Sequence, residues 1–476
     1  MKVRTLTLAF APALALAIAA ACGDDPQTGE HAVVPVSEAG SDVAAQDAGV
    51  TDASCASLRG VPEPGLAPFS IESVGPFVAR DDRTLFGVAY APSCGEIYGA
   101  PQLTRLTAKT SGTGATGPIA AERADLCFGQ IRGTNGGTIL AAYSRSADRI
   151  GAVALSDGFS ANIVVAVISP NDPAWSATPE YSEAQKFVEY PELGRPDAGD
   201  AGLISGERVA AATAAIFLGS NLLVVGQTGD VGLTVLFKET GQPNPKALAG
   251  SALVETRVTL FQAAAAIEGG GAWAAGPTSG GRVGLVKLTQ NNALDGAFGG
   301  GGFIEVGAVG EGTRVHGIGV DALGRLLIVR TTTTSGADAA TEPVTSSPSI
   351  MRLTQAGAVD PTFGAGGVAQ VPLLTSGPAG LSVIVEPGGG VLVGGAEASS
   401  RRAAIARLDR DGKVDPAFGG PGSGGLATQP FAPGKAPDVG PNTGSVLMAL
   451  TPQSNACKTK FFALFAQQDG RGYVFE

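Results

Sequence analysis

The sequence is poor in the residues on which most catalytic sites depend. It contains two histidines and five cysteines among 476 residues. His31 lies near the N-terminus, and His316 stands alone in a β-rich run, without a His-Glu-x-x-His or Gly-x-Ser-x-Gly motif. A lone histidine in a strand usually packs inside a protein or lies on its surface. Hydrolysis that depends on histidine is therefore not expected.

Basic residues are scarce as well. Lys and Arg number 32 against 43 Asp and Glu, which gives a formal net charge of −11, and only 16% of the residues are charged. Proteins that bind nucleic acids usually present a basic face. No nucleic-acid partner is therefore expected.

Motifs for cofactors and metals are weak. The segment GTGATG at residues 112–117 matches the dinucleotide-binding pattern, but Pro118 follows it and no helix is evident. A chain with 70 glycines produces such strings by chance. Asp197 and Asp200 would offer oxygen ligands to calcium, yet two carboxylates do not make a complete site. We therefore predict no cofactor and no metal.

The N-terminus has the composition of an export signal. Two basic residues precede an apolar run from Leu6 to Ala21, and Cys22 follows three alanines. This arrangement resembles a bacterial lipoprotein signal, which implies a signal peptide at residues 1–21 and a lipid on Cys22. Ala19 stands where that signal prefers Leu, so plain secretion or a retained anchor stays open. The run is shorter than the ~20 residues of a membrane-spanning helix.

Residues 22–58 follow this signal and are acidic. They contain seven Asp or Glu, no Lys or Arg, and few large apolar side chains. Such a segment cannot bury enough apolar surface to offset the entropy lost on ordering, so we predict a disordered tether. The resemblance implies attachment through the lipid to a membrane of the bacterial cell envelope, at the outer membrane, with the body facing the periplasm or the surface. Residues 59–476 then form the folded body.

The second half of the chain repeats one motif three times. The copies are LTQNNALDGAFGGGG from Leu288, LTQAGAVDPTFGAGG from Leu353 and LDRDGKVDPAFGG from Leu408. Each has an Asp seven residues after the Leu, a Phe three residues later and then a Gly. The residues at these positions are Asp295, Phe298 and Gly299; Asp360, Phe363 and Gly364; and Asp415, Phe418 and Gly419.

These repeated residues suit a structural turn. Asp before Pro361 or Pro416 is the order expected when a carboxylate accepts backbone N–H groups and Pro begins a short helical turn. The Phe rings would be buried between repeats, and the Gly residues would adopt backbone angles closed to other residues.

Between successive turns the sequence predicts four short strands and no helix. In the copy that begins at Asp295 these are Phe303–Val306, Val315–Val320, Arg325–Val329 and Ile350–Leu353. Four antiparallel strands per repeat form the blade of a β-propeller. Hairpins are predicted to begin at Leu85, Leu126, Ala214, Phe261, Val315, Leu381 and Val446. We therefore predict an all-β propeller of about seven four-stranded blades.

The three turns resemble the delta-60 repeat family, whose pattern is Leu-x-x-x-Gly-x-Leu/Val-Asp-x-x-Phe-Gly. The likeness is clearest over residues 285–425. Asn292 replaces the Gly of the pattern in the first copy, and Gly296 stands where the later copies have Pro. The resemblance implies exported repeats rich in strands, and it implies no activity.

The longest irregular stretch spans residues 156–205. It includes Trp175, Tyr181 and Tyr190 among several prolines and acidic residues. Insertions in repeat proteins often form the binding face. The alternative interpretation is a divergent blade with a long loop.

Four cysteines remain after lipidation of Cys22. None forms a Cys-x-x-Cys pair and their spacing does not suit zinc, so disulfides are predicted. Cys94 and Cys457 lie in the turns of the first and last predicted hairpins. If equivalent turns of neighbouring blades meet in a closed ring, these two would pair, and Cys55 would pair with Cys127.

Function is therefore predicted mainly from the architecture. We expect a monomeric binding or scaffold module for an envelope protein or a glycan. The alternative is an envelope propeller enzyme, a hydrolase or lyase, with dispersed carboxylates at the central channel. A purely structural envelope protein is a third hypothesis.

Overall fold

The structure is a computed structural model. The described residues are 69–70, 74–79, 84–91, 100–107, 122–127, 139–144, 149–156, 162–168, 188–190, 209–237, 249–307, 312–333, 346–374, 381–386, 388–397, 403–428, 445–450, 461–466 and 471–475. The predicted signal peptide and tether lie outside them. Side chains are described mainly in residues 211–427.

Seven antiparallel sheets make up this part of the chain, and we number them blades 1 to 7 in chain order. In blades 1 to 3 the strands are β2 (Val74–Ala79), β3 (Thr84–Ala91), β4 (Ala100–Thr107) and β5 (Glu122–Cys127); β6 (Ile139–Ser144), β7 (Arg149–Ser156), β8 (Asn162–Ile168) and β9 (Val188–Tyr190); and β10 (Val209–Leu218), β11 (Asn221–Thr228), β12 (Val231–Phe237) and β13 (Ala249–Glu255).

The remaining four blades continue the same order. Blade 4 contains β14 (Ala263–Ala266), β15 (Ala272–Pro277), β16 (Val283–Leu288) and β17 (Phe303–Val306), and blade 5 contains β18 (Gly312–Val320), β19 (Leu326–Thr333), β20 (Ser346–Leu353) and β21 (Val368–Gln370). Blade 6 contains β22 (Leu373–Leu374), β23 (Ser382–Val385), β24 (Val391–Glu397), β25 (Ala403–Leu408) and β26 (Leu426–Thr428). Blade 7 contains β27 (Ser445–Leu450), β28 (Phe461–Ala466) and β29 (Arg471–Phe475), joined by β1 (Phe69–Ser70). No helix in the described ranges is long and apolar enough to cross a membrane.

The sheets form a closed ring around their first strands. The first strand of every blade contacts the first strand of the next one, and β2 of blade 1 contacts β27 of blade 7. The N-terminal strand β1 also completes the last sheet, because Phe69 and Ser70 pair with Gly472 and Arg471 of β29. The predicted all-β propeller of about seven four-stranded blades is confirmed.

The core lies between blades rather than inside any one of them. Middle strands such as β11, β19 and β24 are buried on both faces, which explains their continuous apolar sequences. One apolar cluster joins Trp273 and Leu285 of blade 4 to Leu326 and Ile328 of blade 5. Similar clusters join blade 3 to blade 4 and blade 5 to blade 6. Each blade therefore depends on its neighbours for a core.

The strands are grouped differently from the prediction. Phe303–Val306 forms β17, the fourth strand of blade 4, whereas the fourth strand of blade 5 is β21. The reason is that the repeated turn connects the third and fourth strands of one sheet, so it does not mark the boundary between two blades. The predicted repeat is thus shifted by one strand relative to the blade.

Five predicted hairpins join the first and second strands of a blade. They begin at Ala214, Phe261, Val315, Leu381 and Val446. The hairpin predicted at Leu85 instead joins the second and third strands, β3 and β4. The one predicted at Leu126 is wrong, because β5 and β6 belong to different blades.

This topology removes the basis for the predicted Cys94–Cys457 bridge. The β3–β4 connection that contains Cys94 joins second and third strands, whereas the β27–β28 connection that contains Cys457 joins first and second strands. In antiparallel sheets these two kinds of connection lie at opposite ends of the strands. The turns are therefore not equivalent. Both cysteines themselves lie outside the described residues.

The stretch at residues 156–205 contains two strands of blade 2, β8 and β9. This arrangement favours the interpretation as a divergent blade with long connections. Residues 169–187 connect its third and fourth strands, the position that the repeated turn takes in blades 4 to 6. Residues 191–208 lead on to blade 3.

Candidate functional site

The three repeated turns form matching corners between the third and fourth strands of blades 4, 5 and 6. We define them as residues 289–302, 354–367 and 409–425. Each begins with a tight turn in which the first N–H donates to the carbonyl four residues later, at 2.8 Å in all three corners. The chain then reverses, and the N–H of the repeated Asp donates to the carbonyl of Lys287, Arg352 or Arg407. The corners therefore share one backbone geometry.

Each repeated Asp holds the next turn of backbone. One carboxylate oxygen accepts the N–H of the residue two positions later, at 3.1 Å from Ala297, 3.0 Å from Thr362 and 3.0 Å from Ala417. The Asp carbonyl accepts the N–H of the repeated Phe at 2.9 to 3.3 Å. Pro361 and Pro416 stand at the start of this turn, where a missing N–H costs nothing.

The repeated Phe side chains are buried, and those of Phe298 and Phe363 fill the contact with the following blade. Phe298 is 4% exposed, and Phe363 and Phe418 are fully buried. A Cβ on Gly357 of blade 5 would lie 2.9 Å from the Phe298 ring, and one on Gly412 of blade 6 would lie 3.0 Å from the Phe363 ring. Both glycines have positive φ, 85° and 80°. The ring of one blade thus packs where the next blade has no side chain.

Asn292 occupies the same position in blade 4, where the corner faces blade 3. It is the one non-glycine residue with positive φ, 62°, in the described part of the chain. Its side-chain N–H donates to the Thr234 carbonyl at 3.3 Å, and the Thr234 hydroxyl donates to its Oδ1 at 2.6 Å. The departure from the repeat pattern therefore supplies an interblade hydrogen bond.

A repeated cation, not predicted from the sequence, pairs with each repeated Asp. Lys287, Arg352 and Arg407 stand one residue before the repeated Leu, and each pairs with the Asp eight residues later. The shortest nitrogen–oxygen distances are 2.9, 2.8 and 2.7 Å. A basic residue at this fixed spacing in all three copies was the available signal.

The three ion pairs differ in burial. The Lys287 and Asp295 side chains are 31% and 28% exposed, whereas those of Arg352 and Asp360 are 2% and 10% exposed. Arg352 also lies 4.7 Å from the centre of the Phe363 ring and donates to the carbonyl of Arg410 in blade 6. The blade 5 pair is therefore part of the contact between two blades.

In blades 5 and 6 a second carboxylate lies near the Arg–Asp pair of the corner, at the turn between the first and second strands. In blade 5, Asp321 pairs with Arg325 at 2.8 Å. In blade 6, Glu386 accepts two hydrogen bonds from Arg407, at 3.0 and 2.7 Å. The equivalent residue of blade 4 is the apolar Ile267, judged by the matching backbone hydrogen bond of the turn. The corners and these turns lie at the same ends of the strands.

The pKa directions agree with these contacts. Burial acts to raise the pKa of Asp360, but hydrogen bonds from Thr362 and the charge of Arg352 hold it below its ordinary value. The hydrogen bond from Lys287 lowers the pKa of Asp295. Burial acts to lower the pKa of Arg407, yet its bonds to Glu386 and Asp415 raise it. These groups stay charged at neutral pH and hold the corners together.

The inner strands of the ring are mostly small and apolar in sequence, with Arg314 and His316 on β18 as exceptions. The strands next to the axis are β2, β6, β10, β14, β18, β22, β23 and β27, and none of them contains Asp or Glu. Carboxylates at the channel, as the enzyme hypothesis requires, would have to come from the connections. Among the described residues there is also no group of three His, Cys, Asp or Glu side chains that could hold a metal.

His316 lies on the inner strand β18 with both ring nitrogens in hydrogen-bond range. Its Nε2 is 3.0 Å from the Thr331 hydroxyl, and its Nδ1 accepts the N–H of Leu381 at 3.2 Å. Burial, with the charge of Arg314, lowers the pKa of His316 to about 4. The imidazole is therefore neutral at pH 7 and held by the protein.

Other predicted positions cannot be placed. Cys22, Cys55, the GTGATG segment and Asp197 and Asp200 lie outside the described residues, as do Trp175 and Tyr181. Cys127 ends β5 opposite Gln102, but nothing is described of its side chain. The predicted lipidation and disulfides stay predictions.

Comparison with known proteins agrees with the fold. A family model described as "Domain of unknown function (DUF5122) beta-propeller" matches residues 389–418, from the turn before β24 to Phe418. No curated protein matches the chain. The class of protein is thus a β-propeller, and part of it is similar to a propeller family whose function is unknown.

Several solved structures are distantly similar. A hydrazine synthase structure from Kuenenia stuttgartiensis is 12% identical, with 88% of this chain and 96% of that chain covered and a TM-score of 0.46. A PL25 ulvan lyase is 9% identical, covering 87% and 95% with a TM-score of 0.46. The β-propeller domain of the trilobed protease from Pyrococcus furiosus is 9% identical, covering 85% and 92% with a TM-score of 0.38. These values carry no argument about activity or ligand.

We predict that Gly357→Ala destabilises the protein by roughly 1–3 kcal/mol more than Gly366→Ala. Both glycines have positive φ, but a Cβ at Gly357 meets the Ile304 side chain and the Phe298 ring of blade 4, whereas Gly366 has nothing within 4 Å. Urea unfolding of the two variants measures the difference. Equal losses would show that backbone strain alone matters and that these interblade contacts do not.

We predict that Asp360→Asn lowers the free energy of unfolding by about 3 kcal/mol, because it leaves the buried Arg352 without its counter-charge. Asp295→Asn is the matched control, since its pair with Lys287 is more exposed, and its effect should be much smaller. Thermal and urea unfolding of both variants provide the test. A control as unstable as Asp360→Asn would contradict the assigned role of burial.

Proposed function

We propose that the protein is an envelope lipoprotein whose propeller is a binding or scaffold module for a protein or glycan partner. The observation that carries the proposal is that the repeated side chains make their contacts within the ring itself. In the three corners the Asp binds backbone and a cation, and the Phe is buried. Because these residues are used for assembly, partner selection falls to segments that differ between blades.

The connections between strands supply those differences. Blade 4 joins its second and third strands by the short turn Thr278–Arg282, whereas blade 5 uses residues 334–345 for the same connection. In blade 2, residues 169–187 take the position of a corner and contain Trp175 and Tyr181. Tyr and Trp are enriched at the energetic centres of interfaces. We therefore place partner recognition at residues 156–205, chiefly in 169–187.

The proposed membrane attachment rests on the sequence before the ring. Cys22 follows an apolar run, and the acidic residues 22–58 separate it from the body. A lipid on Cys22 would hold a monomeric propeller at the bacterial cell envelope, on the periplasmic or the outer surface, within reach of envelope proteins and glycans. The proposed function is thus the display of a binding or scaffold ring near a membrane.

We predict that Cys22→Ala abolishes lipid attachment and releases the protein from the membrane fraction, since this thiol is the proposed acylation site. Detergent phase partitioning and intact mass of the exported protein measure the change. Cys55→Ala is the matched control and should stay in the membrane fraction. Equal release of both variants, or no release of either, would contradict the assignment.

We predict that alanine at both Trp175 and Tyr181 lowers partner binding by tenfold or more, in line with an interface centre that costs about 2 kcal/mol or more when truncated. The full chain is used as bait against envelope extracts and on a glycan array. Leu323→Ala, which removes a side chain 53% exposed in blade 5, is the control and should bind like the parent.

The two partner classes and the enzyme alternative give different results in this test. Capture of one envelope protein that the double variant loses supports a protein partner, and loss of an array signal supports a glycan. Turnover of an envelope polysaccharide by the parent would overturn the binding proposal in favour of a lyase or hydrolase. Binding that the double variant retains would move recognition away from residues 169–187.

A further inference from the structure

His316 links two blades at the inner wall of the ring. It belongs to β18 of blade 5, and the backbone N–H that its Nδ1 accepts comes from Leu381, directly before β23 of blade 6. Leu381 is 6% exposed. The bond therefore joins the first strands of neighbouring blades and is partly shielded from solvent.

This bond requires one protonation state of the ring. A nitrogen that accepts an N–H carries no proton, so the proton of the neutral imidazole is on Nε2, which can donate to the Thr331 hydroxyl 3.0 Å away. A protonated ring would carry N–H groups on both nitrogens. Its Nδ1–H would then face the N–H of Leu381, and two donors cannot form a hydrogen bond.

Among the described residues, the strands that pack against β18 carry no acidic side chain that could balance a protonated ring. Strands β14, β15 and β23 contain no ionisable residue. The charged residues on the other described strands of this group are Arg314 on β18, Arg330 on β19 and Lys287 on β16, and all three are cations. Protonation of His316 would therefore add a positive charge near Arg314.

Near this bond, blades 5 and 6 pack closely, and the inner edge of blade 6 is interrupted. Gly317 and Gly319 of β18 pack directly against Val383 and Val385 of β23. The inner edge of blade 6 is made of two pieces, since β22 and β23 both pair with β24. Leu381 stands where the second piece begins, so His316 secures the end of that strand.

We propose that His316 is an acid-sensitive latch between blades 5 and 6. At neutral pH its unprotonated Nδ1 holds the start of β23 against β18. In acid the imidazolium forms, the bond to Leu381 is lost, and the inner wall between these blades loosens. The latch belongs to the ring itself and is independent of the proposed binding partner.

The pH range follows from the two states of the latch. An opened, solvated imidazole has a pKa near 6.5, and in the closed ring the pKa of His316 is about 4. Between these values the open state binds more protons, so the closed state is fully favoured above pH 6.5 and loses stability as the pH falls toward 4. From pH 7.5 to pH 5 the opening equilibrium rises roughly 30-fold.

Hydrogen exchange of the Leu381 amide tests the latch directly. The full chain is labelled at pH 7.5 and pH 5, and the rates are corrected for intrinsic exchange. Protection of Leu381 should fall roughly 30-fold in the parent. His316→Asn keeps an acceptor at the Nδ1 position but cannot titrate, so its protection should not change with pH. His31→Asn is the matched control and should behave as the parent.

Two results would overturn the proposal. One is Leu381 protection in the parent that does not change between the two pH values. The other is an imidazole of His316 that titrates near pH 6.5 in the NMR spectrum of the parent, where the chain has only two histidines and the His31→Asn variant assigns them. The second measurement needs no change at His316 and so does not depend on how that variant folds.

Discussion

The packing of one blade against the next is the constraint on which the ring depends. A four-stranded sheet cannot cover its own apolar faces, so each blade is stable only between two others. At the corners this general contact becomes specific, because the Phe298 and Phe363 rings occupy the space left by Gly357 and Gly412 of the following blades. Asn292 meets the same requirement toward blade 3 with a hydrogen bond to Thr234. The repeated positions are therefore those that make contacts between blades.

The ion pairs of the corners show how one motif serves different surroundings. Lys287 pairs with Asp295 in a half-exposed position, whereas Arg352 is buried and reaches the backbone of the next blade. The planar guanidinium of Arg352 offers five N–H donors in a fixed fork and binds a carboxylate, a carbonyl and a hydroxyl together. Lys is sufficient at the exposed corner, and Arg suits the corner where several acceptors must be satisfied without water.

The sequence predicts the fold because Asp and Phe recur at a spacing that only a repeated unit explains. The blade boundary predicted from the sequence is wrong by one strand. The repeated residues form a corner, and their spacing does not show whether the strand after that corner belongs to the same sheet or to the next one. The cations at Lys287, Arg352 and Arg407 were missed because single charges next to a strand look like ordinary surface residues. The partner of His316 lies 65 residues away in another blade, and no local pattern indicates it. Contacts within a repeat can thus be read from sequence, whereas contacts between non-equivalent positions need coordinates.

The seam formed by β1 and β29 also determines how the molecule bears mechanical load. In the described part of the N-terminal segment, Phe69 and Ser70 are the residues that pair with the last strand, so this pairing is short. Tension applied through that segment would act first on this short pairing and only later on the interior of a blade. The ring would then yield at its seam, with six complete sheets still folded.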